Sequence, residues 1–351
     1  MAGELMLVLD RRDSSVRLEG RAVRVDTPEG FERVPLGLLG LVVVHGSPTV
    51  SCDVWRALAE RNVPAVLLPG RGKGPAAWTG AGLSTSVQVR RRQHRAASEP
   101  GTRLKLAREM VHLKLAAQRV LAGRLNADPA AFLVTASVTS PDRVLSALDQ
   151  QLAAVNACPS IPALMGAEGA AASAWYTWLA EWVPAHWRFK GRNRRPPRDP
   201  LNGLLSLGYT LAMGETRHVI ETTGMDPALG FLHGVVPGRD SLMLDVVEPL
   251  RPAVDAFSLG LLDDLLSPQD FHYSNQDGCR LNKDARGLFY RAWAGQRLSW
   301  PNLMVDSVND QMHSDGDQPP PDGQTLASAS RRVLHRLRTL LPPLPEGDGD
   351  G

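Results

Sequence analysis

His233, Asp245 and Glu248 fall within sixteen residues of one another, in the segment GMDPALGFLHGVVPGRDSLMLDVVEPLRP that runs from Gly224 to Pro252. His233 follows a Gly-Phe-Leu run and precedes Gly234. A turn at Val236-Pro-Gly-Arg239 then leads into Ser241 to Glu248. If 241–248 is helical, Asp245 and Glu248 stand at i, i+3 on one face, with their Cβ atoms roughly 5–6 Å apart. Two carboxylates that close, among apolar neighbours, resist ionisation unless a cation compensates them. Oxygen ligands with one imidazole suit Mg²⁺ or Mn²⁺. Taken singly, each residue fits an exposed stripe or a turn cap better. The three together make a metal centre a competing reading.

A second segment, MGAEGAAASAWY, places Glu168 among small residues. Gly166 and Gly169 each disfavour a helix interior by roughly 1 kcal/mol relative to Ala. Either another backbone or a ligand comes close there, or Glu168 points outward from tightly packed helices. Spacing alone does not connect Glu168 to His233.

Other patterns carry less. Gly70-Arg-Gly-Lys-Gly-Pro75 lacks the Ser or Thr, and the helix start, that a phosphate loop needs. It reads as a basic glycine turn. Glu215 and His218 sit one helical turn apart, but a di-iron bundle needs a second such pair, so they read as a surface pair. No GxSxG elbow or HExxH pair occurs. Cys52, Cys158 and Cys279 are far apart and odd in number, which supports neither a disulfide framework nor a zinc knuckle. A reducing, cytoplasmic setting fits them best.

The elements that must position these residues divide by periodicity. Up to about residue 86 the pattern is mainly strands: Leu5 to Leu9, a hairpin over Ser15 to Val25, Leu39 to Val44 and Val63 to Leu68. One short helix, Cys52 to Arg61, interrupts them. From Val87 onward apolar residues recur at helical spacing, first over Thr102 to Leu125. Further helices are expected over 128–136, 142–155, 162–182, 200–223, 252–265 and 283–296. The expected fold class is α+β in two domains: a β-rich, sandwich-like domain over 1–86 and an all-α domain over 87–312. Residues 313–351 read as a flexible linker, a basic amphipathic helix over Thr325 to Leu341 and a disordered Pro, Gly and acidic tail.

Net charge is only +2, yet the charge is unevenly spread. Val89 to Leu125 holds ten Lys or Arg against two Glu, and Trp187 to Arg198 holds six with no acid. Such clusters attract polyanions even on a nearly neutral chain, although a single cluster more often marks a solvated face. No apolar run reaches the ~18 to 20 residues a membrane span needs, and the first residues lack the basic start of a signal peptide.

Four ordered blocks, MGAEGAAASAWY, PLNGLLSLGYTL, GMDPALGFLHG and GRDSLMLDVVEPLRP, resemble the Cas-one family of CRISPR-associated endonucleases, the CRISPR adaptation integrases. The resemblance spans roughly residues 1–300. It implies an N-terminal β-domain used for dimerisation and an all-helical catalytic domain. It implies a metal site of Glu168, His233, Asp245 and Glu248, with Mg²⁺ or Mn²⁺ as cofactor. The implied activity is insertion of captured DNA into a CRISPR array by attack of a 3′-hydroxyl on a phosphodiester. A metal-dependent nuclease acting alone on branched DNA, and a DNA-binding scaffold with an unused site, are the alternatives. The implied partners are DNA, a second copy of the chain, and a small Cas-two dimer bridging two such dimers, with no membrane. Arg188, Lys190, Arg192, Arg194, Arg195, Arg198, Arg239, Arg90, Arg91 and Arg92 become candidate phosphate contacts, as do Arg95 and Arg103. Asn202 and Tyr209 are expected to be buried near the site and to orient it.

Overall fold

A computed structural model describes residues 3–69, 76–80, 87–133, 136, 139–194, 196–304 and 325–344. The basic turn at 70–75, Arg195, the linker at 313–324 and the final residues 345–351 lie outside them.

The N-terminal strands are β1 (Leu5–Leu9), β2 (Ser15–Glu19), β3 (Ala22–Thr27), β4 (Gly30–Pro35), β5 (Leu39–Val44) and β6 (Thr49–Val50). After helix α1 (Cys52–Glu60) come β7 (Ala65–Leu67) and β8 (Ala77–Thr79). They form two four-stranded sheets, ordered β1-β5-β7-β8 and β4-β3-β2-β6. The hairpin joining β2 to β3 turns at Gly20, whose φ of +62° is open to glycine without strain. Side chains alternate across a strand. Val42 and Val44 of β5 therefore share a core with Val16, Val23 and Val25 of the second sheet, and Leu41 and Val43 face the helices. Both faces of β5 are covered, which accounts for its unbroken apolar run.

The helices are α2 (Val87–Ser98), α3 (Pro100–Ala127), α4 (Asp142–Val155), α5 (Ile161–Trp182), α6 (Pro200–Thr222), α7 (Ser241–Val247) and α8 (Arg251–Gly260). A single 3₁₀ turn, Glu248–Leu250, links the last two. Strands β9 (Phe271–Ser274) and β10 (Gly278–Leu281) follow, then α9 (Lys283–Leu298) and α10 (Leu326–Leu340). Start signals are local. Ser160 caps α5 and Asp199 caps α6, with Pro in the first turn of each.

Helix α6 lies at the centre. Its glycines permit close packing: a Cβ at Gly208 would stand 2.7 Å from Val254, and one at Gly214 would stand 2.4 Å from Val66 and 2.7 Å from Trp78.

Four expectations change. The helical part is not all-α, because β9 and β10 form an antiparallel hairpin over residues where no helix was expected. The helix expected over 128–136 is, among its described residues, only a 3₁₀ turn at Pro129–Ala131, closed by the Asp128 side chain. The helix expected to reach 265 ends at Gly260, and Asp263 beyond it adopts a left-handed conformation that a right-handed helix cannot contain. Helix α10 belongs to the main core. Its Leu326, Ala329, Val333, Leu334 and Leu337 are buried, and Ser330 hydrogen-bonds Thr216 of α6 at 3.1 Å.

Gly214→Ala weighs two effects against each other. Helix propensity favours Ala by about 1 kcal/mol, whereas overpacking against Val66 and Trp78 costs about 1–3 kcal/mol. We expect net destabilisation, read as a lower urea midpoint with unchanged slope.

Candidate active site

Helices α3 and α5 and the 3₁₀ turn after α7 meet around one ammonium group. Lys114 lies on the apolar stripe of α3 with Met110, Val111, Leu115 and Leu121, and it is buried with them. Its Nζ donates to Glu168 of α5, and to Glu248 Oε2 at 2.6 Å. Arg251 forms an ion pair with the other oxygen of Glu248 at 3.0 Å. Burial alone would raise the Glu248 carboxyl, but Arg251 and Lys114 outweigh it and hold the pKa at about 2. His233 is close enough to act on Glu248 electrostatically.

Asp245 has a different set of partners. It is fully buried, and its Oδ2 accepts from the backbone N–H groups of Phe231 and Leu232 at 2.5 and 3.0 Å. Its Oδ1 accepts the His233 backbone N–H at 2.9 Å and pairs with His233 Nδ1 at 2.7 Å. The chain wraps this carboxylate closely: a Cβ at Gly230 would come within 2.8 Å of Oδ2. A carboxylate can only accept, so Nδ1 carries a proton, and Nε2 offers a lone pair when the ring is neutral. The His-carboxylate pairing is the usual support for a metal-binding imidazole.

The four predicted residues thus come together, but not as one cage. Asp245 and Glu248, at i, i+3, have different protein partners. The first turns to backbone N–H groups, and the second to Lys114 and Arg251. Among the described residues no three His, Cys, Asp or Glu side chains are arranged to hold a metal ion. The ammonium of Lys114 fills the space between Glu168 and Glu248. The donor set nevertheless fits a divalent cation, since a positive charge already sits between two carboxylates beside an imidazole whose Nε2 can act as a ligand when the ring is neutral. Lys114 is the residue that motif reading missed. Its signal was a lysine inside the apolar stripe of a helix, where an unpaired charge is rarely buried.

Behind Glu248 lies a buried polar network. The Arg251 guanidinium packs over the Tyr209 ring at 4.7 Å. The Tyr209 hydroxyl donates to Asp255, which also accepts from Trp175 Nε1 at 2.9 Å. Tyr176 and Tyr209 hydroxyls stand 3.0 Å apart. Burial raises Asp255 to about 6, against the opposing hydrogen bonds of Tyr209 and Trp175. Asn202 is buried and fully engaged: it donates to Gly191 O and Asp199, and accepts from Arg192 and the Asn193 N–H. It ties the start of α6 to the arginine-rich loop.

The candidate phosphate contacts divide by what they already bond. Arg188, Lys190, Arg194 and Arg198 are exposed on that loop, and Arg95 is exposed on α2, where it donates to Pro343 O at 3.2 Å. Arg90 and Arg91 are half-buried on α2. Arg192 is tied to Asn193 O, Asn202 and Ser206. Arg92 donates to the carbonyls of Leu341 and Pro342 at the end of α10, so it holds that helix in place. Arg103 donates to Phe231 O at 2.8 Å, and Arg239 donates to Gly234 O, so both clamp the turn that carries His233. The glycines that flank Glu168 in sequence lie on other faces of α5, where a Cβ at Gly166 or Gly169 would meet nothing within 4 Å among the described residues.

The family model described as CRISPR associated protein Cas1 matches residues 7–295. The chain is 34% identical over 267 residues to a CRISPR-associated endonuclease Cas1 of Rhodospirillum rubrum, covering 74% of this chain and 76% of the relative. It is 31% identical over 300 residues to one of Thermodesulfovibrio yellowstonii, covering 83% and 92%. Among solved structures, a Cas1 protein from Thermotoga maritima superposes with a TM-score of 0.75 at 19% identity, over 98% of this chain and 99% of that one. A casposase bound to integration product superposes at 0.76 and 18% identity, over 99% and 96%. The molecule is therefore a CRISPR-associated nuclease of mixed α+β fold. The chain belongs to the Cas1 family.

Two outcomes follow from this geometry. Asp245→Asn replaces an acceptor facing three backbone N–H groups with a partial donor and frees the His233 tautomer. Nuclease activity is expected to fall about 10–100-fold, with circular dichroism reporting a retained fold. For Asp255 the folded pKa lies above the ordinary 3.8, so its favourable contribution is complete below about pH 4 and lost as pH rises through about 6. The stability of the native protein relative to Asp255→Asn should decline across that window in thermal melts.

Proposed function

We propose that this protein inserts captured DNA fragments into a CRISPR array, a 3′-hydroxyl of the fragment attacking a phosphodiester at the repeat boundary. One P–O bond forms as another breaks, so the reaction needs no external energy source. The observation that carries the reading is the meeting of Glu168 and Glu248 at one buried cation position beside His233. In this reading Glu168, Glu248 and His233 Nε2 hold Mg²⁺ or Mn²⁺, and Asp245 orients His233 from behind. A bound divalent ion supplies polarisation of the phosphoryl oxygen and offsets charge on the attacking and leaving oxygens.

The chain's own groups do the rest. Arg251, stacked on Tyr209, holds Glu248 in its rotamer and charged. Arg103 and Arg239 fix the His233 turn and add positive charge beside it. Arg188, Lys190, Arg194 and Arg198 supply phosphate contacts that give affinity without reading sequence. Related proteins support DNA and a small Cas2 partner as ligands, since solved structures of this fold include a casposase bound to integration product and a Cas6-RT-Cas1–Cas2 complex. The N-terminal strands serve dimerisation in this reading, and exposed Leu5, Phe31 and Leu38 there support it. The division into a β-domain over 1–86 and a catalytic domain over 87–312 belongs to the same proposal.

The test is integration of a short DNA duplex into a supercoiled plasmid carrying the repeat, with the Cas2 partner and Mn²⁺ present. Joined product is expected from the native protein. Glu168→Gln and His233→Ala should each reduce it by about 100-fold or more, at least the loss seen on removing a supporting group, while DNA affinity stays within about threefold. Cleavage without joining would favour a nuclease acting alone. DNA binding with no metal-dependent product would leave only a scaffold.

A further inference from the structure

We infer that Lys114 is an exchangeable resident cation: it occupies the metal position between Glu168 and Glu248, and a divalent ion enters by displacing it. The inference rests on the metal reading of those two carboxylates.

Lys114 is fixed on α3 by its apolar neighbours Met110, Val111 and Leu115, so its ammonium can reach only a limited region. That region is the gap between two carboxylates from α5 and the 3₁₀ turn. Without any cation there, two carboxylates would face each other at a largely buried point, a costly arrangement. Lys114 meets that need in the metal-free protein and keeps α3, α5 and the turn in register. One gap does not hold both a hydrogen-bonded ammonium and a divalent ion, so the two compete.

The two carboxylates are not equivalent in this exchange. Glu248 keeps Arg251 on its other oxygen when Lys114 leaves. Among the described residues the ion pair of Glu168 is with Lys114 alone. The Glu168 side chain is also the more exposed, at 24% against 8% for Glu248. Exchange therefore proceeds from the Glu168 side.

Calorimetric titration of Mn²⁺ into the full-length protein, without DNA, tests the competition. Lys114→Met removes the competing charge at similar length, and Lys114→Arg offers a guanidinium that can engage both carboxylates. The expected order of Mn²⁺ affinity is Met above Lys above Arg, with Lys114→Met at least about tenfold tighter than native. Lys105→Met, on the exposed side of the same helix, controls for a general charge effect and should shift affinity less than about twofold. Lys114→Met should also melt at a lower temperature without metal and recover it with Mn²⁺. If that variant fails to fold without metal, Lys114→Gln prepared in the same way carries the comparison. Equal or weaker binding by Lys114→Met or Lys114→Gln would overturn the inference. Native binding unaffected by Glu168→Gln would instead remove the metal reading itself, and the two failures are distinct.

Discussion

A carboxylate taken out of water must be given positive charge or hydrogen-bond donors, and the helical part of this protein is arranged around that constraint. Glu168, Glu248, Asp245 and Asp255 all lie close to one seam between helices. Each draws its compensation from a different element: Lys114 from α3, Arg251 from the start of α8, the backbone N–H groups of residues 231–233, and the Tyr209 and Trp175 side chains of α6 and α5. Truncating one member would leave its partner buried and uncompensated, which is far more damaging than the modest net worth of such a pair suggests. The seam is therefore a structural joint, and the proposed site lies on it.

The two acids of the Asp245-Val-Val-Glu248 stretch show how three residues of separation can assign separate tasks. Helix α7 ends at Val247, and the chain tightens into a 3₁₀ turn. Asp245 points to the turn that carries His233 and settles its tautomer and ring direction. Glu248 points to α3. Gly230 makes the first arrangement possible, because a side chain there would collide with the Asp245 carboxylate. One local segment thus supplies an acid that orients His233 and an acid that faces Lys114 and Arg251, and Arg103 and Arg239 lock the intervening turn.

Much of the fold was legible in the chain because periodicity is a local property. The continuous apolar run of β5, the glycine at the β2–β3 turn and the long stripe of α3 each report their element directly. The failures share a cause. The hairpin of β9 and β10 is too short and polar to signal itself, and β10 is held by backbone contact with Pro197. Helix α10 was legible as an amphipathic helix, but its place in the core depends on Thr216 and Arg92, more than a hundred residues away. Arg92 and Arg192 looked like phosphate contacts by charge, yet the structure directs both to carbonyl and amide partners. Charge is visible in a sequence; what neutralises or occupies it is not.

By themselves the residues determined the chemistry available: an imidazole and two acids in one short segment, a further glutamate between glycines, and basic clusters on either side. They also determined the family, through the order of four motif blocks. Only the tertiary structure decided which acid faces a cation and which faces backbone, and only it placed Lys114, 54 residues before Glu168 and 134 before Glu248, between the two. The physical reason is that ionic compensation acts through space, over a few ångströms, and nothing in local spacing encodes which distant helix will supply it.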